Sequence, residues 1–129
     1  MIKNRKVVPG GGATELACSL YIQEQADKIE SIEQYSVRGF AEALEEIPVC
    51  LANNSGYNSI QYLSDLKEQQ TTSGCPYYGV DAMNTGNNQM LEEGIYESVM
   101  SKKEQFQLAT QVVKMIMKID DVISPAEYA

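Results

Sequence analysis

Three consecutive glycines, Gly10, Gly11 and Gly12, separate the extended stretch "KVVP" from the segment "ATELA", which has the character of a helix start. Ordering three glycines is entropically expensive, because each loses more backbone freedom than any other residue. Something must therefore gain from the lack of side chains. One answer is a ligand that lies against bare main chain at a helix N-terminus, where unsatisfied N–H groups point outward, as nucleotides do. The other is a hinge or a close-packed turn. The spacing is neither G-x-G-x-x-G nor the phosphate loop G-x-x-x-x-G-K-[ST], so the triplet alone does not choose between them. The chain has no histidine, which removes the commonest general base and the commonest metal ligand. Zinc sites and Ser-His or Cys-His nucleophile pairs are excluded on that ground. Cys18, Cys50 and Cys75 are odd in number and widely spaced, which argues against a disulfide framework and for a reducing compartment.

The elements that would position such a turn are helical. Pro9 biases Val8 toward an extended backbone. After the glycines, Leu16, Ala17, Leu20 and Tyr21 recur at helical spacing, with Thr14 a candidate cap and Glu15 in the first turn. A second helix is expected from Ser31, where S-x-x-Q resembles a capping box, through the stripe Val37, Phe40, Ala41, Leu44 and Ile47. Pro48 should kink it, and "ANNSG" should end it at Gly56. Ile60, Leu63 and Leu66 mark a third helix, broken by "TTSGCPYYG". Residues 79–95 lack helical period and contain "NTGNN", which suggests a short hairpin. The last helix runs from about Ser98, with Val99, Phe106, Ala109, Val113, Ile116 and Met117 on one face. A terminal strand is expected at Ile119–Ile123. The fold class is thus mainly α with a short hairpin and a terminal strand.

The 129 residues suit one modest domain, and an apolar fraction of 43% is ordinary for a globular chain. No apolar run approaches the ~18 residues of a membrane helix, and the first residues carry no signal-peptide pattern, so no membrane partner is expected. The net charge of −8 repels phosphate backbones and makes nucleic acid an unfavourable partner.

Four segments occur in order: "VVPGGGATE", "AEALEEIPVCLANNSGYNSI", "YGVDAMNTGNNQMLEEGIYES" and "ATQVVKMIMKIDDVI". Together they resemble the C-terminal part of group II chaperonin subunits, the family of the archaeal thermosome and the eukaryotic cytosolic chaperonin. The resemblance covers essentially the whole chain. Its most specific pieces are the glycine motif followed by A-x-E, the N-S-G segment and the terminal I-D-D-V-I. It implies a cytosolic, ATP-dependent, double-ring assembly of several kinds of subunit that encloses non-native proteins. Residues 1–12 would be the exit from the intermediate domain and the glycine loop. Residues 13–129 would be the C-terminal part of the equatorial, nucleotide-binding domain.

On this resemblance, Gly11 and Gly12 are bare so that adenosine can lie against the backbone. Asp81 and Ala82 match the turn bordering the adenine, through main chain. Glu97 matches the acid that accepts hydrogen bonds from the ribose hydroxyls. Lys102 matches a position near the nucleotide. Read without the resemblance, Glu97 is an acid complementing a helix dipole and Lys102 a solvated helix lysine. Two departures stand out: Ser98 replaces the proline usual after the ribose acid, and Gln89 stands where an acid often precedes Met90. The family's phosphate loop, its magnesium-binding aspartate, the aspartate that positions water and the apical domain all match nothing in this sequence. ATP or ADP with Mg2+ is therefore expected as the cofactor of a full-length subunit that is an ATPase, while this segment alone should be inactive and holds neither metal ligands nor catalytic residues. The rival reading is a free-standing helical interaction module whose glycine turn is structural.

Overall fold

The computed structural model describes residues 5–123. It divides into two compact units, Val7–Glu97 and a smaller one that includes Arg5–Lys6 and the described residues from Ser98 onward.

In the larger unit, β1 (Val7–Pro9) leads through the glycine triplet into α1 (Ala13–Ala26), followed by α2 (Glu33–Asn54) and α3 (Ser59–Ser73). Helix α1 starts without a side-chain cap. Gly12 takes a left-handed conformation, and the Thr14 hydroxyl donates backwards to the Pro9 carbonyl at 2.7 Å. The expected capping box at Ser31 does not form either. Its hydroxyl donates to Glu33 instead, and Ile32 occupies the cap position. The end of α2 follows its sequence signal closely. Gly56 is left-handed, its N–H donates to the Asn53 carbonyl, and the Tyr57 N–H donates to the Ala52 carbonyl at 3.0 Å, the paired bonds of a Schellman terminus. Gly74, also left-handed, ends α3.

The buried line of α2 is Ala41, Leu44, Pro48 and Ala52, while Phe40 and Ile47 are exposed, so the inward face is rotated from the expected stripe. Leu16, Ala52, Leu63, Leu66 and Val80 form the core. On α1, Glu15 and Ser19 are buried and Tyr21 is exposed. Ser19 turns inward because it donates to the Glu45 carboxylate at 2.7 Å. Gln23 donates to the same oxygen and Lys67 pairs with the other at 2.7 Å, so one carboxylate on α2 ties all three helices.

The expected hairpin over 79–95 is reduced to a single antiparallel bridge, Tyr78 with Gln89. The two-stranded sheet is instead formed by β1 with β2 (Tyr96–Ser98), an antiparallel pair flanked by Gly10 N–H donating to the Ile95 carbonyl and Val99 N–H donating to the Lys6 carbonyl. In the smaller unit, α4 (Val99–Ile116) is the last element. Ile119–Ile123 forms no strand: a strand exists only when a ladder partner is present, and none lies beside it among the described residues. No helix of the described residues is long and apolar enough to cross a membrane.

Candidate functional site

The glycine turn sits at the junction of β1, α1 and the segment that follows α3. Val80 N–H donates to the Gly11 carbonyl at 2.8 Å, which lays residues 79–82 alongside the triplet. Gly11 and Gly12 have φ of 62° and 75°, a region that L side chains rarely enter. Both are also crowded by the protein. A Cβ on Gly11 would strike the Met90 sulfur, and one on Gly12 would come within 2.8 Å of the Pro48 Cβ. Gly10 has ordinary φ, but a Cβ there would lie 2.8 Å from the Ile95 Cγ2 and 3.5 Å from the Glu97 carboxylate. Gly79 belongs to the same arrangement, because its Cβ would be 2.9 Å from the Gly11 carbonyl oxygen. Fold chemistry thus requires these glycines whatever binds nearby. The N–H groups of Gly11 and Gly12 nevertheless donate to no main-chain carbonyl among the described residues.

The Asp81 side chain serves its own loop. Its Oδ1 accepts from Met83 N–H at 3.2 Å and its Oδ2 from Gly86 N–H at 2.8 Å. Burial pushes its carboxyl up, but the amides of Gly86, Thr85 and Met83, with the Thr85 hydroxyl, outweigh that and hold it below the ordinary value. Two stacked tyrosines at the α2–α3 corner, Tyr57 and Tyr62, grip the Asp81 main chain at both ends. Tyr62 accepts from the Asp81 N–H at 3.2 Å, and Tyr57 donates to the Asp81 carbonyl at 2.9 Å. Burial raises the Tyr62 phenol, so it remains a neutral hydroxyl that both accepts from Asp81 and donates to Asn88 at 2.7 Å.

Of the sequence-derived residues, Gly11, Gly12, Asp81, Ala82 and Glu97 all belong to the larger unit. The first four line its two adjacent main-chain runs. Glu97, half-buried on β2, stands beside Gly10. Ala82 is exposed, with its N–H donated to the Val80 carbonyl at 3.1 Å. Lys102 belongs to the smaller unit, on the first turns of α4, and is only 6% exposed, not the solvated lysine that its position on a helix suggested. Sequence reasoning missed Met90, Pro48, Tyr57, Tyr62 and Gln70. The glycine of "YGVD" was the one local signal pointing to their neighbourhood.

Comparison with known proteins gives this geometry a lineage. The TCP-1/cpn60 chaperonin family profile matches residues 1–127. The chain is 43% identical over 124 residues to the T-complex protein 1 subunit epsilon of Encephalitozoon cuniculi, covering 96% of this chain and 23% of that one. Among the eukaryotic subunits, the segment Ser101–Ile123 looks by its sequence most like the epsilon type, and this match agrees with that. It is 40% identical over 123 residues to the thermosome subunit alpha of Methanothermobacter thermautotrophicus, covering 95% of this chain and 22% of that one. The solved open-state monomer of a group II chaperonin from Methanococcoides burtonii superposes with a TM-score of 0.82 at 36% identity, over 88% of this chain and 28% of that one. The chain therefore spans about a quarter of the length of these relatives, its helices match part of a chaperonin equatorial domain, and it belongs to the TCP-1/cpn60 chaperonin family.

Proposed function

We infer that this segment supplies the adenosine side of the nucleotide site in an ATP-dependent chaperonin subunit. The observation that carries the reading is the pair of N–H groups at Gly11 and Gly12 that no main-chain carbonyl takes up, set at the N-terminus of α1 with the Glu97 carboxylate beside Gly10. Such a turn can donate to a ligand from bare main chain, while a carboxylate can accept from two adjacent hydroxyls at once. Asp81 contributes the shape of its loop rather than its charge, because both carboxylate oxygens are already engaged. Magnesium and phosphate would be held by parts of the full-length subunit that match nothing in this sequence, so this segment alone should not hydrolyse ATP. The subunit would work in the cytosol, in a hetero-oligomeric double ring, on non-native proteins captured by an apical domain outside these residues.

The test is Glu97→Gln in the full-length, ring-assembled subunit, compared for ATP and 2′-deoxy-ATP by calorimetry. ATP affinity is expected to fall roughly 3- to 30-fold, in keeping with the loss of a charge-assisted hydrogen bond. The preference for ATP over the deoxy form should shrink with it. An unchanged preference would remove Glu97 from the ribose and with it this reading.

A further inference from the structure

Helix α3 buries Leu63, Leu66 and Gln70 on one face, so Gln70 holds a place in the core line where a leucine would pack without penalty. It is 5% exposed, and its Oε1 has no hydrogen-bond partner. An orphaned buried acceptor is a cost that the fold tolerates only against a gain elsewhere. The gain lies at the other end of the amide. Nε2 donates to the Tyr78 carbonyl at 2.7 Å and to the Ala13 carbonyl at 3.2 Å. Turning the amide over would set its oxygen against those two carbonyls, so the orientation is fixed by its partners. Ala13 directly follows the glycine triplet, and Tyr78 directly precedes Gly79–Ala82. These are the two runs joined by the Val80–Gly11 bond.

We propose that Gln70 is a positioning residue for the nucleotide site: one side chain from α3 sets the separation between the glycine turn and the Gly79–Ala82 run. This rests on the adenosine-side reading above. Ala13 lies at the start of α1, where its carbonyl also accepts the ordinary helical bond from four residues ahead. The contact from Gln70 is thus a tie between two backbones rather than the rescue of an unsatisfied group. Tyr62, two turns earlier on the same helix, holds the far end of the same run through the Asp81 N–H. Any shift of α3 therefore reaches both ends of that wall.

The experiment uses Gln70→Met in the full-length ring, with Glu97→Gln in parallel. Binding of ATP and of magnesium tripolyphosphate, a probe lacking adenosine, is measured for each. For Gln70→Met, ATP affinity should drop roughly 2- to 30-fold, the range of a lost coupling between packed elements, with tripolyphosphate affinity unchanged. If both probes weaken equally, or neither does while Glu97→Gln still weakens ATP, Gln70 only packs and the proposal is wrong although the adenosine reading stands. If wild-type protein gains nothing from the adenosine moiety, the reading fails and takes the proposal with it. Should Gln70→Met not fold, Gln70→Leu, which suits the apolar line of α3, is judged by the same comparison.

Discussion

At Asp81 the useful property is a carboxylate consumed by its own loop. Its folded value lies below the ordinary 3.8. The stability it provides is therefore fully present above that ordinary value and is lost as pH falls through the lower folded one. Asp81→Asn leaves both amides, Met83 and Gly86, without a charged acceptor and one of them facing an NH2 that cannot accept. It should cost about 1–3 kcal/mol at neutral pH and flatten the acid limb of stability below pH ~4, as read by urea unfolding across pH. Gly11 allows a sharper test, because two separate strains meet there. Gly11→Ala must accept a φ of 62° and also displace the Met90 sulfur. Met90→Ala removes only the second. In a double-mutant cycle the pair should cost less than the sum of the single changes, by about 0.5–3 kcal/mol. Additivity would mean that the turn relaxes away from Met90. The triplet was legible in the sequence because glycine announces a need for bare backbone. What fills the space was not, since Met90 lies in an irregular stretch with no period to mark it as buried.

At the scale of the elements, the four helices and the Gly56 stop were legible, because apolar spacing and a left-handed terminator act locally. The inward faces of α1 and α2 were less so. Ser19 and Glu15 are buried where spacing favoured Tyr21, and the physical reason at Ser19 is a partner on another helix, Glu45. No local pattern reports a partner 26 positions away. The same limit explains the ladder. Its strand at Tyr96–Ser98 pairs with Val7–Pro9, not with a neighbour in sequence, and Ile119–Ile123 has no ladder partner among the described residues. Of the candidate site, the glycine turn, Glu97 and the Asp81 loop were readable, while the ties from Tyr57, Tyr62 and Gln70 were invisible until α3 was placed. The Glu45 network yields a ranking. Glu45→Ala strips an acceptor from Ser19, Gln23 and Lys67 together and should cost about 1–3 kcal/mol. Lys67→Ala, from a side chain 32% exposed, should cost no more than about 1 kcal/mol in guanidinium-free urea titrations. Equal losses would show that the carboxylate serves the lysine alone.

For the molecule as a whole, the far half of α4 presents a problem that water will not tolerate. Leu108 is 61% exposed, Met115 66% and Met117 79%, with Val113 and Ile116 also open. Burying a side chain of this kind is worth about 1.5–3 kcal/mol, so an open row of them seeks a cover. The 129-residue chain by itself should therefore self-associate, and sedimentation should show Met115→Lys with Ile116→Asp shifting it toward monomer. A wild-type monomer at high concentration would contradict this. The β1–β2 pair carries a different consequence. It lays the first and last residues of the larger unit side by side, so that body is a closed circuit, entered and left at one doorway. A loop of that length is costly to close but grows only slowly costlier with size, which places its formation late, after the local helix pairs. It also means that the two ends of that body meet in one ladder. The glycine turn begins at the next residue after β1, so the ladder that closes this circuit also anchors the turn.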